Sequence, residues 1–323
     1  MTTRPELLTR EFRALSGRLG KDPLQVQGPG GNTSVKDHDV MWIKASGTEL
    51  ADAENRDIFV AVDRQAALEE ANGISGDGSC KSTVIDKSVS LRPSIETTFH
   101  AALEHAVVAH THSVATLVHA ISPEGREACR QKLNGLPFAM VPYAKPGLPL
   151  TREILARIQK ETCVVILQNH GLVCCGKTVD EVSDLIKEVE ERLSMSPKTY
   201  SVSIPEEDPP SGFKWSEKGW LAQEPRTKEL ILEGSYYPDH VVFLGPALPR
   251  NDHEGQPAAL MFEDQGIAIR NNATPAQSAM LDCLSDVFSR LPPNWSVEAI
   301  GIEAEAALLN WDAEKYRQTL AAR

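Results

Sequence analysis

The sequence predicts a mixed α/β (α+β) protein in which helices flank a largely antiparallel sheet. Short apolar runs rich in β-branched residues follow one another across tight turns, as in residues 32–44 and 163–176. Amphipathic stretches at helical spacing, such as residues 178–195, lie between these hairpins. Hairpins of this kind pair antiparallel strands, whereas regular alternation of strand and helix would predict a doubly wound parallel sheet.

The first third of the chain shows these patterns in order. A helix is predicted over residues 4–19, where leucines and Phe12 share one face and Gly20 follows. A helix is also predicted over 94–106, with Ser94 after Pro93 as its N-cap. The other predicted elements are a strand (24–27), a glycine-rich turn (28–31), a strand (32–36), a polar turn (37–39), a strand (40–44), a small-residue turn (46–48), a strand (58–63), a short helix closed by Gly73, and a mobile polar surface loop (74–90).

The rest of the chain divides at a segment rich in proline and acidic residues. We predict a first domain over 1–198, a linker over 199–216 and a smaller C-terminal α+β unit over 217–323. The helix over 178–195 begins with a capping-box pattern, Thr178 followed by Glu181. The other predicted elements are strands at 107–112, 138–144 and 163–176 (two strands around a turn), helices at 113–121 and 150–160, a helix or coil at 217–233, a strand at 240–246, a hairpin at 258–270, and helices at 274–291 and 299–323.

Bulk composition excludes several classes of partner. The chain has 323 residues, of which 41% are hydrophobic, and a formal net charge of -12. Such a charge does not favour nucleic acid or an anionic membrane as the main partner. The six cysteines include no CxxC pair, which is typical of buried thiols in a reducing compartment. With no signal-peptide pattern and no long apolar segment, we expect a cytoplasmic protein.

Two histidines follow the predicted strand Val107-Val108-Ala109. His110 and His112 are two residues apart, so both imidazoles leave one side of the sheet. His170 follows a second apolar run and precedes Gly171. Three imidazoles at strand ends match a catalytic zinc site that keeps one position open. The alternative is that His110 and His112 are two unrelated imidazoles in the core or on the surface.

Two turns rich in small residues precede these strands. In the first turn, Gly30 and Gly31 would let backbone N–H groups approach an anion, with Asn32 and Ser34 as side-chain donors. Residues 46–48 form a second turn of similar chemistry, although both can also be ordinary hairpin turns.

Several titratable residues near the predicted strands have two interpretations. Glu96 is either a helix-stabilising carboxylate or a general acid/base beside the metal. His100, His105 and His119 are predicted to be packing or surface residues. No local pattern singles out one tyrosine as a proton donor.

Five motifs occur in an order that resembles the class II aldolase/adducin family over about residues 5–195. They are GGNTSVK (30–36), IKASGT (43–48), SIETTFHAAL (94–103), VVAHTHSVA (107–115) and NHGLVCCGKTVDE (169–181). Within the family, the chain is similar in particular to sugar-phosphate aldolases such as fuculose- and rhamnulose-phosphate aldolases. It resembles most the aldolase-like part of long fused aldolase/dehydrogenase proteins.

The resemblance implies a three-layer αβα sandwich, a divalent metal, and a homo-oligomer, commonly a tetramer with active sites at subunit interfaces. The metal is usually Zn²⁺, with Mn²⁺, Co²⁺ or Fe²⁺ as alternatives. The implied metal ligands are His110, His112 and His170, with Glu96 as the catalytic acid/base. The residues implied to hold a substrate phosphate are Gly31, Asn32, Ser46, Gly47 and Ser94.

The function implied is a zinc-dependent aldolase that cleaves or forms a C–C bond of a ketose or ketose phosphate through an enediolate. A related decarboxylase, epimerase or dehydratase, and a non-catalytic adducin-like binding protein, are the alternatives. Ile95 stands where many of these aldolases have serine, which removes one hydroxyl donor from the phosphate site. The expected partner is a small sugar or sugar phosphate, with neither nucleic acid nor membrane.

Overall fold

A computed structural model describes residues 2–250 and 257–321. Its main feature is a seven-stranded sheet in the order β3-β2-β1-β4-β7-β6-β5. Only β5 and β6 run parallel; every other neighbouring pair is antiparallel. The strands are β1 (Asn32–Lys36), β2 (Val40–Lys44), β3 (Phe59–Asp63), β4 (Val107–Thr111), β5 (Phe138–Val141), β6 (Val164–Leu167) and β7 (Gly171–Gly176). The predicted mostly antiparallel sheet is therefore confirmed.

Helices cover both faces of this sheet, as the family resemblance implies. One face packs against α1, α5 and α7, and the other against α2, α3 and α6. The helices are α1 (Arg10–Lys21), α2 (Arg64–Ala71), α3 (Thr97–Ala102), α4 (Val114–Ala120), α5 (Pro123–Lys132), α6 (Leu148–Leu155) and α7 (Val179–Leu193). Cys174 and Cys175 point to opposite faces of β7, as adjacent strand residues must.

The C-terminal region forms a second, three-stranded antiparallel sheet with its own helices. Its elements are β8 (Phe213–Trp215), α8 (Trp220–Gln223), α9 (Pro225–Glu233), α10 (Pro238–Leu244), β9 (Ala259–Phe262), β10 (Gly266–Arg270), α11 (Pro275–Arg290), α12 (Ile302–Leu309) and α13 (Asp312–Ala321). Strand β8 lies inside the segment predicted as a linker and pairs with β10. The apolar core of this region includes Val114, Leu117, Val118 and Ile121 of α4 and its C-terminal end, so α4 joins the two parts of the molecule.

The strand predicted over 240–246 is wrong, because residues Pro238–Leu244 form α10. Every residue of this helix is buried, including Asp239 and His240, so apolar residues do not recur at helical spacing along one face. A short apolar run of this kind cannot be assigned from periodicity alone. Pro238 at the first turn is the signal for a helix start, since proline is favoured where its missing N–H is not needed.

Two further predictions near the motifs are wrong. Residues 24–27 form turns rather than a strand. The helix predicted over 94–106 covers only Thr97–Ala102, and Ser94 is not its N-cap. The Ser94 hydroxyl instead accepts the Glu96 N–H at 3.2 Å, and Glu96 occupies the cap position. This turn places the Glu96 side chain at the N-terminal end of α3, beside the ends of the central strands.

The remaining helix predictions hold in outline. The first helix splits into a 3-10 turn at Pro5–Leu7 and α1, which begins after the Thr9 cap and runs to Lys21, past Gly20. The last splits into α12 and α13, and residues 322–323 of the predicted helix lie outside the described residues. No described helix combines the length and the apolar character needed to cross a bilayer.

Candidate metal centre

Three histidines converge at one end of the central strands. The ring centroids of His110 and His112 are 5.1 Å apart, those of His110 and His170 4.9 Å, and those of His112 and His170 5.5 Å. One nitrogen from each ring lies within 4.8 Å of the other two, and all three residues are buried. The structure thus brings together the three side chains predicted from distant motifs, in a group that could hold a metal ion.

Strand register explains why these side chains meet. His110 pairs with Asn32 of β1 on one side and with Val173 of β7 on the other. His112 follows β4 directly, and His170 lies in the turn between β6 and β7. A Cβ atom on Gly171 would stand 2.3 Å from the Thr111 carbonyl oxygen, so only glycine allows this turn to approach β4.

The chemistry of the ring nitrogens fits a bound cation. The Nδ1 of His110 lies 2.9 Å from the Leu172 carbonyl oxygen and donates to it, which leaves the Nε2 lone pair free. That Nε2 is buried without a hydrogen-bond partner among the described residues. Burial lowers the pKa of His170 to about 3, and burial also lowers the pKa of His110. The imidazoles of His110 and His170 are therefore neutral near pH 7, which is the form that binds metals.

Glu96 adds a carboxylate to the same point. One of its oxygens lies 3.5 Å from His110 Nε2 and the other 3.5 Å from His170 Nε2. Glu96 is buried, and its Oε1 has no hydrogen-bond partner among the described residues. A buried carboxylate oxygen without a partner calls for a cation or a proton.

A hydrogen-bond chain from the sheet holds Glu96 in place. The side-chain amide of Asn32 donates to Glu96 Oε2 at 2.8 Å, and its oxygen contacts His100 Nε2 at 2.5 Å. The other nitrogen of His100 contacts the Ser34 hydroxyl at 2.7 Å. His100 is a packing residue, as predicted, but it also fixes the Asn32 amide that orients Glu96. Its position one helical turn after Glu96 is the sequence signal for this role.

The residues implied to hold phosphate all lie around the same centre, but several of their polar groups are engaged within the protein. Asn32 uses both ends of its amide, and the Ser46 N–H donates to the Arg92 carbonyl oxygen at 2.8 Å. Gly47 lies beneath α13, where an added Cβ would stand 2.3 Å from Leu320 Cδ1. The set that lines the central cavity is Gly31, Asn32, Ser46, Gly47 and Ser94.

The C-terminal region supplies residues that sequence reasoning missed. Asp239 of α10 and Arg317 of α13 line the central cavity, whose volume is about 30 Å³. Asp239 Oδ2 lies 3.3 Å from His112 Nδ1. Arg317 binds both oxygens of Asp239, at 2.8 and 3.1 Å, and also contacts Glu314 at 2.8 Å. Neither residue lies in a recognisable motif, so only the three-dimensional structure identifies them.

Lys44 is a second missed residue of the central cavity. Its ammonium donates to the Pro29 carbonyl oxygen at 2.9 Å, and the side chain is buried. Burial lowers the pKa of Lys44 to about 7. A buried lysine that titrates near neutrality can donate or accept a proton. Lys44 lies in the motif IKASGT (43–48), but the sequence pattern assigned no role to its side chain.

A larger cavity of about 460 Å³, here called the outer cavity, adjoins the central cavity. Ser46, Ile95 and Pro146 line both. Its cationic side chains are Lys81, Arg92 and Lys145, and none of them forms an ion pair with a described carboxylate. Arg92 stacks on Tyr316 and Lys145 on Trp311, while Asp77 and Asp312 also line the walls.

Three converging imidazoles and a carboxylate at the end of an antiparallel sheet define a protein with a candidate divalent-metal centre. The sequence model described as the class II aldolase and adducin N-terminal domain matches residues 14–196, more than half of the chain. The chain therefore belongs to the class II aldolase and adducin N-terminal domain family. The family resemblance and the mostly antiparallel fold expected from the sequence are confirmed.

Known relatives share this family segment. An uncharacterized oxidoreductase, YuxG, of Bacillus subtilis is 29% identical over 202 residues, which cover 55% of this chain and 28% of that protein. This chain thus spans about a quarter of the length of that relative. An L-fuculose phosphate aldolase of Methanocaldococcus jannaschii is 25% identical over 190 residues, covering 54% of this chain and 88% of that one.

A solved structure supports the fold of the same segment. The N-terminal class II aldolase domain of a conserved protein from Thermoplasma acidophilum aligns with a TM-score of 0.51 and 27% identity. The alignment covers 60% of this chain and 94% of that domain. The family and the fold of the sheet are thereby established.

Proposed function

We propose that this protein is a divalent-metal, zinc-dependent aldolase that cleaves or forms a C–C bond of a ketose or ketose phosphate through an enediolate. The convergence of His110, His112 and His170 beside Glu96 is the observation that carries the proposal. Family membership and the similarity to an L-fuculose phosphate aldolase support it. The homotetramer and the cytoplasmic location stay predictions.

The donor set suits the proposed cofactor. Three imidazoles that leave one coordination position open are typical of catalytic zinc. Mn²⁺, Co²⁺ and Fe²⁺ can bind the same donors. When bound, the cation would stabilise negative charge on the substrate oxygens next to the reacting bond. The residues of the chain would then bind the substrate, orient it and move its protons.

Glu96 is proposed as the group that moves the proton. Its carboxylate is buried and held by Asn32, so one oxygen keeps a fixed position beside the histidines. In the condensation direction, a carboxylate in this position can remove a proton from the carbon that becomes the nucleophile. In the cleavage direction, its protonated form can deliver a proton to the same carbon once the C–C bond has broken. Lys44, on the wall of the same cavity, is placed to interact with a developing oxyanion.

The outer cavity is proposed to hold the end of the substrate that does not react. The central cavity of about 30 Å³ has room for a water or two but not for a sugar phosphate, whereas the outer cavity of about 460 Å³ has the usual size of a ligand site. The cations Lys81, Arg92 and Lys145 suit a phosphate or another anionic terminus. Remote binding of this end would position the reacting carbons near Glu96.

The proposal is tested with zinc-loaded protein and a panel of ketose 1-phosphates, unphosphorylated ketoses and 3-oxo sugar-acid phosphates. We expect release of an aldehyde and dihydroxyacetone phosphate from a ketose phosphate, detected by a coupled reductase assay. His110→Ala should lose both the stoichiometric metal and the cleavage.

Other products would identify the alternatives. Carbon dioxide, an epimer or a dehydrated sugar would replace aldol cleavage by a related reaction at the same centre. If purified protein holds no stoichiometric divalent ion and His110→Ala changes nothing, the protein is not a metal-dependent enzyme and a binding role takes its place.

A further inference from the structure

We propose that Asp239 is the positioning residue that fixes His112 for metal binding, with Arg317 holding Asp239 in place. The inference rests on the proposed metal centre and extends it beyond the family segment, which ends at residue 196. The metal centre of this chain would then be complete only with the C-terminal region.

Among the described residues, no backbone group anchors the ring of His112 as the Leu172 carbonyl oxygen anchors that of His110. His110 lies within β4, and its Nδ1 donates to the Leu172 carbonyl oxygen of β7. His112 follows the last residue of β4, and its Nδ1 lies 3.3 Å from Asp239 Oδ2. A carboxylate on one ring nitrogen fixes the orientation of the ring and directs the other nitrogen to the metal.

Asp239 is itself held rigidly. It is 2% exposed, and Arg317, also buried, binds both of its oxygens. Arg317 in turn contacts Glu314 and lies over the ring of Phe243. A planar guanidinium that binds a carboxylate through two hydrogen bonds leaves that carboxylate little freedom. The chain of contacts therefore runs from α13 through α10 to His112.

Gly30 supports the same interpretation independently. A Cβ atom at this position would stand 2.8 Å from His112 Nδ1 and 2.9 Å from Asp239 Oδ2. Real side chains do not tolerate such contacts with two packed groups at once. The glycine of the first motif, expected from the sequence to approach a phosphate, thus leaves the space in which the imidazole and the carboxylate meet.

The test measures metal affinity rather than turnover. The full-length chain is stripped of metal, and zinc binding is measured by competition with a chromophoric chelator. The Co²⁺-substituted protein provides a visible absorption spectrum that reports the ligand geometry. Two variants remove the carboxylate, Asp239→Ala and the triple variant Asp239→Leu/Glu314→Gln/Arg317→Met. The triple variant removes all three charges of the buried group that Arg317 forms with Asp239 and Glu314, a change that proteins often tolerate.

We expect both variants to bind zinc about 10- to 100-fold more weakly and to change the Co²⁺ spectrum. Asp239→Asn should lose less affinity, because its amide oxygen can still accept the Nδ1–H of His112. Asp286→Asn is the matched control, since Asp286 forms an ion pair with Arg290 in the same region but does not line the central cavity. It should bind zinc as the wild type does.

Unchanged zinc affinity and an unchanged Co²⁺ spectrum in either carboxylate-free variant that remains folded would overturn the inference. Folding is checked by circular dichroism and thermal melting of the metal-free proteins.

The inference and the proposed function can be refuted separately. A wild type that binds zinc but cleaves no sugar refutes the aldolase, and Asp239 is still tested by affinity. A wild type that binds no divalent ion refutes both.

Discussion

The family domain and the C-terminal region contribute to the same centre in different ways. The family domain provides the three histidines and Glu96, which lie in or next to β4, in the turn between β6 and β7, and at the start of α3. The C-terminal region provides Asp239 and Arg317, which reach the centre from two helices far along the chain. The side chains that could bind the metal therefore lie in sequence motifs, whereas Asp239, which contacts one of them, and Arg317, which binds Asp239, lie in a region without motifs.

The largest expected effect concerns the family domain. Glu96→Gln keeps the shape of the side chain but removes the base, so kcat should fall about 10²- to 10⁴-fold. Zinc content, measured by atomic absorption, should stay stoichiometric, because the three histidines remain. Glu104→Gln, at an exposed position after α3, is the control and should retain full activity. An unchanged kcat in Glu96→Gln would remove Glu96 from the reaction.

A smaller effect is expected where the two regions meet. His119 of α4 packs against Trp295 of the C-terminal region, with ring centroids 5.3 Å apart. Burial lowers the pKa of His119 to about 4 from an ordinary value of 6.5. As the pH falls, His119 therefore binds a proton in the unfolded chain before it does so in the folded protein. The free energy of unfolding that neutral His119 contributes is lost from about pH 6.5 downward through pH 4.

The variant His119→Gln removes this proton linkage. Between pH 7 and pH 5, the wild type should lose about 2 kcal/mol more unfolding free energy than the variant does. Urea unfolding of the metal-free proteins at the two pH values measures the difference. If the wild type and the variant lose the same unfolding free energy between the two pH values, protonation of His119 does not destabilise the folded protein.

The smallest expected effect separates the two cavities. Arg92→Gln and Lys145→Gln remove cations from the outer cavity without touching the metal centre, so KM for a phosphorylated substrate should rise about tenfold each. The kcat value and the zinc content should stay near those of the wild type. Lys160→Gln, an exposed lysine elsewhere, is the control. Equal KM values for all three variants would place the anionic end of the substrate somewhere else.

Much of the fold and of the centre could be predicted because local patterns determine them. Alternation and turn residues located the central hairpins, and the spacing of His110 and His112 placed both rings on one side of β4. The approach of His170 followed from a strand end and Gly171. In each of these cases, neighbouring residues decide the geometry.

The features that were missed depend on contacts between distant segments. Helix α10 has an apolar sequence because it is buried on all sides, so its pattern resembles that of a strand. Ser94 looked like a helix cap, but the chain makes one more turn before α3 begins, which brings Glu96 to the histidines. Asp239 and Arg317 are ordinary charged residues until the fold buries them as a pair.

Helix α4 has a practical consequence for experiments on this protein. One side of α4 packs toward the large sheet, and Val114, Leu117 and Val118 on another side lie in the C-terminal core. A recombinant fragment cut after the family segment would expose these side chains to water, and we expect it to aggregate. Biochemical work should therefore use the entire chain, because the limits of the shared family sequence are not the limits of a soluble fragment.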